Sequence, residues 1–382
     1  MMSKKIRLLL LITALLTLLT ALPVSAVTQS TSEESAVLEG WQDLVGSLPP
    51  EISDLLPKEF FSENTEEIGN GAKKAGALGA ILAVVGQISG AKMKDSLSLL
   101  ALLTGILLLC ALLRALSEGS GSTATAVSLC TTLTITILIL SGKSTGFSQI
   151  SSFFQSVQTL AVMLLPLMGT LYAMGGNVSA AVANHGVMSG FLAILETLCS
   201  ATVLPVATIA VAMALFDAVS DKVSLSALST LIKRTFTLGL SFLMMLLCFV
   251  LGLQTTLAKS ADTLALRTAR FAAGSFLPII GSSVGEALRT VAGSVQYLRS
   301  AVGVGGILII FFTFLPTFLS VSLTRLTLQL GGAVAGLLQC KREERLLAEL
   351  AGVWGYFLAV IAALFVMMVF SLTLLARCAA AG

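Results

Sequence analysis

LSLLALLTGILLLCALLRAL, Leu97 to Leu116, is an apolar run closed by one formal charge, Arg114. A run of this length matches one helical crossing of a bilayer, whose hydrocarbon core is about 30 Å thick at about 1.5 Å per helical residue. It is too long for a strand, and a soluble domain has no place for it. Six further apolar runs follow: Ala124 to Leu140, Val157 to Met174, Phe191 to Phe216, Thr235 to Thr256, Val302 to Leu323 and Leu350 to Ala376. The expected fold is therefore an all-α polytopic integral membrane protein of about seven transmembrane helices. Composition agrees, with 56% hydrophobic and 11% charged residues, against about 25% charged in a soluble domain. Pro166, Pro205 and Pro316 lie inside three of the runs, which predicts kinked helices whose freed backbone groups are satisfied by neighbours. Glycine-rich Leu328 to Leu338 is too short to cross alone and is expected to be re-entrant.

Ahead of the first span, residues 1–26 have the form of a cleavable signal peptide. Lys4, Lys5 and Arg7 precede an apolar run, and Val24-Ser25-Ala26 supplies small residues for a cut after Ala26. Residues 27–95 then form an acidic extracytoplasmic segment. Its prolines, Pro49, Pro50 and Pro57, break it into short amphipathic helices, and Ala75 to Ala91 is expected to lie in the membrane interface. Residues 96–382 are the multi-span domain. Seven crossings from an outside start put the loop 257–301 and the carboxyl end in the cytoplasm. That loop carries Lys259, Arg267, Arg270, Arg289 and Arg299 against Asp262 and Glu286, as the positive-inside rule favours. Lys73, Lys74, Lys92 and Lys94 then lie outside, against the rule; an extra span at Ala75 to Ala91 would bring Lys92 and Lys94 in and send the loop out.

Several chemistries are excluded. The net charge of +3 is scattered and no basic run is interleaved with aromatics, so no nucleic-acid surface is expected. The six cysteines contain no Cys-x-x-Cys pair and read as packing residues. With His185 the only histidine, a His-based metal site is not expected. No cofactor is implied. Gly142-Lys143-Ser144-Thr145 resembles the end of a phosphate loop, but Ile137 stands where the pattern needs glycine. Two ionisable groups near the spans are candidate intramembrane polar residues, Glu196 and His185. A carboxylate at membrane depth usually pairs or lines a water path, whereas one at a helix start is solvated and favoured by the helix dipole.

The loop 257–301 is the most informative region. Val284, Leu288, Val291, Val295 and Leu298 recur at three- and four-residue steps, one apolar stripe along a helix with Glu286, Arg289 and Arg299 off it. Asp262, Arg267, Arg270, Arg289 and Arg299 are the candidate contacts to a partner or to lipid, and Pro278 with Gly281 marks a candidate structural turn. The run Asp262-x4-Arg267-Thr268-Ala269-Arg270-Phe271-Ala272, continuing Ser275-Phe276-Leu277-Pro278-Ile279-Ile280-Gly281 and then Arg299-Ser300-Ala301-Val302-Gly303, resembles the signature of the stage III sporulation protein AE family. Arg299-Ser300 departs from the family's Lys-Asn, and Gly186 stands after His185 where the family tends to have proline.

The resemblance implies a non-enzymatic membrane component of the sporulation channel that links mother cell and forespore. It would sit in the mother-cell membrane around the forespore, beside sister membrane proteins of the channel, and support late forespore gene expression and development. Whether it also forms a homo-oligomer is left open. A stand-alone small-solute permease is the alternative, which kinked spans and Glu196 would suit, although the sequence shows no internal repeat.

Overall fold

The computed structural model describes residues 35–116, 121–141, 147–174, 202–219, 225–243 and 281–380, with a few single positions elsewhere; for 281–300 it describes the backbone alone. Every regular element among the described residues is helical. In chain order they are α1 (35–46), α2 (Pro50–Ser53), a 3-10 turn (Lys58–Phe61), α3 (Thr65–Ala75), α4 (Leu78–Leu116), α5 (Gly121–Ser141), α6 (Phe147–Met174), α7 (Leu204–Val219), α8 (226–243), α9 (Gly281–Leu337) and α10 (Lys341–Ala380).

The centre is the antiparallel hairpin of α9 and α10, the most extensive helix pair among the described residues. Only Leu338, Gln339 and Cys340 join the two. The Cys340 N–H donates to the Ala335 carbonyl at 2.9 Å and the Gln339 N–H to the Gly336 carbonyl at 3.0 Å, the paired bonds of a Schellman stop. Gln339 occupies the left-handed position, φ 54°, usually given to glycine. Residues 328–337 thus continue α9 rather than re-entering the membrane. The glycines there are used for close approach: a Cβ at Gly336 would meet the Glu344 carboxyl at 3.3 Å, and one at Gly332 the Leu347 Cβ at 3.6 Å. Packing has overridden weak helix propensity.

Around this hairpin the other helices follow a clear order. α4 runs parallel to α9, with Ser96 beside Thr327 and Leu103 beside Gly331. It is one helix of 39 residues, about 58 Å long, so the expected break at Lys92 to Asp95 is absent. Lys92, Met93 and Lys94 are good helix formers, Met93 to Asp95 are exposed, and the stretch holds no proline or glycine to stop the helix. α5 and α6 run in series down the hairpin. Ser128 meets Glu343 near the turn, Phe147 meets Trp354, Phe153 meets Phe314, and Leu164 lies near the Gly306 and Leu372 level. The two are therefore one descent, not two opposed crossings.

The amino-terminal cap packs against the start of the α9 span. Trp41 of α1 is wholly buried, and a Cβ at Gly305 of α9 would lie 2.5 Å from its ring; a Cβ at Gly76 would lie 3.9 Å from Leu308. The start of the α9 span and the acidic amino-terminal segment share one end of the molecule.

Among the described residues, five helices are long and apolar enough to cross a membrane: α4, α5, α6, α9 and α10. The expected fourth and fifth spans fall partly outside the described residues; within them α7 is a shorter apolar helix. Leu102, Leu109, Leu112, Ile137, Phe216, Leu231 and Phe242 are exposed on the outer helices, an apolar rim of the kind that faces lipid. Several interior hydroxyls are satisfied within their own helices, as where Thr136 donates to the Thr132 carbonyl and Thr324 to that of Ser320.

At the opposite end from the turn, α1 to α3 form a small cap. Asn64 accepts from the Glu66 N–H to start α3, Glu66 and Glu67 fill its first turn, and Lys73 and Lys74 its last, each charge at the end the helix dipole favours.

Candidate functional site

Burying charge is costly, so the buried charged residues mark where the sequence departs from simple packing. They gather at the turn end of the hairpin. Because α10 begins at Lys341, Glu343 falls in its first turn, on the inward face that continues through Leu346, Leu350 and Trp354. Its side chain is wholly buried. The Ser128 hydroxyl of α5 donates to Glu343 Oε1 at 2.6 Å, and the Cys110 thiol of α4 faces the same oxygen at 3.5 Å. Arg114 Nη1 of α4 is 4.0 Å from Oε2. Two helices, α4 and α5, thus converge on one carboxylate of a third.

Less than two turns along, Lys233 of α8 pairs with Glu349 of α10 at 3.4 Å, both largely buried. A Cβ at Gly352 would come 3.0 Å from the Lys233 Nζ, and one at Gly355 would come 3.1 Å from the Arg325 Cζ, so these glycines make room for two cations against α10. Phe236 and Tyr356 stack edge to face beside them, ring centres 5.6 Å apart. Asp217, in the last turn of α7, is buried and accepts the Leu225 N–H at 2.8 Å, tying the end of α7 to the start of α8.

The cap supplies a second junction. Trp41 Nε1 donates to the Phe60 carbonyl at 2.9 Å, the two rings lie 5.8 Å apart, and the indole fills the space left by Gly305. On the surface, Lys74 pairs with Glu59, which holds the Glu59 carboxyl below its ordinary range, chiefly through that hydrogen bond. Between the cap and α6 lies a cleft of about 230 Å³ lined by Ser47, Ser152, Gln155, Ser156 and Thr159 among others.

The residues singled out from sequence fare differently. Asp262, Arg267, Arg270, Pro278, His185 and Glu196 lie outside the described residues. Arg289 and Arg299 lie on the helical backbone that opens α9, and Gly281 is its first residue; the stretch carrying the apolar stripe is helical. Sequence reading missed Glu343 because Lys341 to Glu349 looks like a charged loop before a span at Leu350. The available signal was register: Glu343, Leu346, Leu350, Trp354 and Phe357 recur at three- and four-residue steps.

A long buried-core hairpin, an apolar outer rim and several span-length helices define a multi-pass helical membrane protein. Residues 61–379 match the family model described as stage III sporulation protein AE. The chain belongs to that family. Among curated proteins it is similar to the stage III sporulation protein AE of Bacillus subtilis (strain 168), 24% identical over 156 residues, which is 41% of this chain and 39% of that relative. The aligned region therefore spans about two fifths of the relative's length. No solved structure is significantly similar to the chain.

Proposed function

We propose that the protein is a non-enzymatic subunit of the sporulation channel complex between mother cell and forespore, held in the mother-cell membrane around the forespore and required for late forespore gene expression. Family membership over residues 61–379 carries this reading. The shape supports it: the α9 segment from Ala301 to Leu337 has 37 residues, about 55 Å of helix against a hydrocarbon core of about 30 Å. The hairpin extends well past the bilayer, where sister proteins of the channel or a second copy can engage it. Arg114, Lys233, Arg234, Lys341, Arg342 and Arg345 belong to the turn end, so we place that end in the cytoplasm. The cap and the residues leading into Ala301 then lie outside, where the acidic segment and the basic stretch with Asp262, Arg267 and Arg270 share a compartment. Those cations are the candidate partner or lipid contacts.

Affinity purification from sporulating cells tests the assignment. Recovery with sister channel proteins is the expected result, and solute uptake by the purified protein alone in liposomes would replace it with the permease. Glu196→Gln should leave spore yield near wild type at equal abundance, since a solvated helix-start carboxylate contributes only about 0.3–1 kcal/mol. Loss of spores at normal protein level would point to a titrating transport site.

A further inference from the structure

Cys110 of α4, Cys340 of the hairpin turn and Glu343 of α10 are all buried, and their Sγ and carboxylate oxygen atoms lie within 4.8 Å of one another. We propose that these three side chains form a binding site for a thiophilic divalent cation of the zinc class, pinning α4 to the hairpin turn. The donor set fits such an ion: two thiolates and a carboxylate leave a fourth position of a tetrahedron open.

A second observation points to a ligand independently of the cysteines. Glu343 Oε2 is fully buried and accepts no hydrogen bond, a state that costs free energy unless something positive satisfies it. Arg114, at 4.0 Å, is beyond hydrogen-bonding distance. The other oxygen is held by the Ser128 hydroxyl at 2.6 Å, an outer contact of the kind that fixes a ligating carboxylate in orientation.

Charge balance favours an exchange rather than a net addition. Without an ion, two neutral thiols, one carboxylate and Arg114 sum to zero. Binding a divalent cation expels both thiol protons to solvent, and two thiolates, one carboxylate, the cation and Arg114 again sum to zero. These four groups therefore carry no net charge in either state.

The full chain in detergent, stripped with chelator, would be titrated with Co²⁺ and separately assayed for bound zinc after dialysis against Zn²⁺. The expected result is one equivalent of cation, a thiolate-to-cobalt charge-transfer band, and release of two protons per cation in weak buffer. Cys130→Ser, an exposed cysteine on α5, should retain all three signals. Cys110→Ser and Cys340→Ser should lose the band, and Glu343→Gln should bind at least about tenfold more weakly. Absence of the band and of bound zinc in the folded wild type would overturn the site, whatever the stability of the variants. So would an unchanged band in the Cys110→Ser/Cys340→Ser double variant, or thiol counts showing a Cys110–Cys340 disulfide in place of a metal.

Discussion

Replacing Gly305 by alanine should loosen the amino-terminal cap. The new methyl carbon would lie 2.5 Å from Trp41 Cη2 and 3.3 Å from Cζ2. The indole has little room to retreat, because Nε1 is tied to the Phe60 carbonyl, the Phe60 ring packs beside it, and the side chain is wholly buried. Overpacking a filled site costs about 1–3 kcal/mol. Alanine also favours helix by about 1 kcal/mol, but α9 is helical whether or not the cap is docked, so that gain cancels from the docking equilibrium. At about 1.4 kcal/mol per tenfold, the undocked population rises roughly 5- to 140-fold.

Cleavage at Lys58 by a trypsin-like protease reads that population when redocking outpaces cutting. Trp41→Ala should expose the site further, since removing a buried tryptophan costs about 3–5 kcal/mol. In that background Gly305→Ala should add nothing, because the atoms it collides with are gone. An unchanged cleavage rate in Gly305→Ala, or an equal increase with and without Trp41, would refute the steric argument.

Reporter fusions at Ser62 and Ala292 should read the same side of the membrane, and opposite readings would refute the proposed placement of the cap and the start of α9 together outside. Lys233→Ala or Glu349→Ala alone should lower thermal stability in detergent more than the double substitution does, because each leaves a largely buried charge unpaired; additive losses would argue against a coupled pair. The Lys74 contact depresses the Glu59 pKa, so its contribution is complete above the unfolded carboxylate pKa and is lost as pH falls through the lower, folded one. Proteolytic release of the cap should therefore rise slightly on acidification through that window, and Glu59→Gln should flatten the response.

The membrane class was legible because each span must satisfy its backbone internally and present apolar side chains over a fixed length. Direction was not. α5 and α6 each have the length of a crossing, and only their contacts with Glu343, Trp354, Phe314 and Gly306 reveal that they run in series. Continuity was also hidden, since Lys92 and Lys94 read as a boundary although nothing in that stretch stops a helix. Trp41 and Gly305 are separated by most of the chain, so their fit has no local signature. The same is true of Cys110 and Cys340, whose spacing in sequence argued for simple packing and whose meeting depends on α4 lying alongside the hairpin. The signature run that identified the family lies largely outside the described residues, so its specificity came from residue identities alone.

The three-residue connection between α9 and α10 has a practical consequence for anyone labelling this protein. A turn between two long helices is the customary place to splice an epitope or a fluorescent domain, since insertions at exposed tips are generally harmless. Here Gln339 holds a left-handed backbone and Cys340 closes both the stop of one helix and the start of the next, its carbonyl receiving the Glu344 N–H at 2.9 Å. Even one added residue would rotate Glu343 away from Ser128 and shift Arg325 relative to Gly355. The loop most accessible on paper is the one whose length cannot be edited, and tags belong elsewhere on the chain.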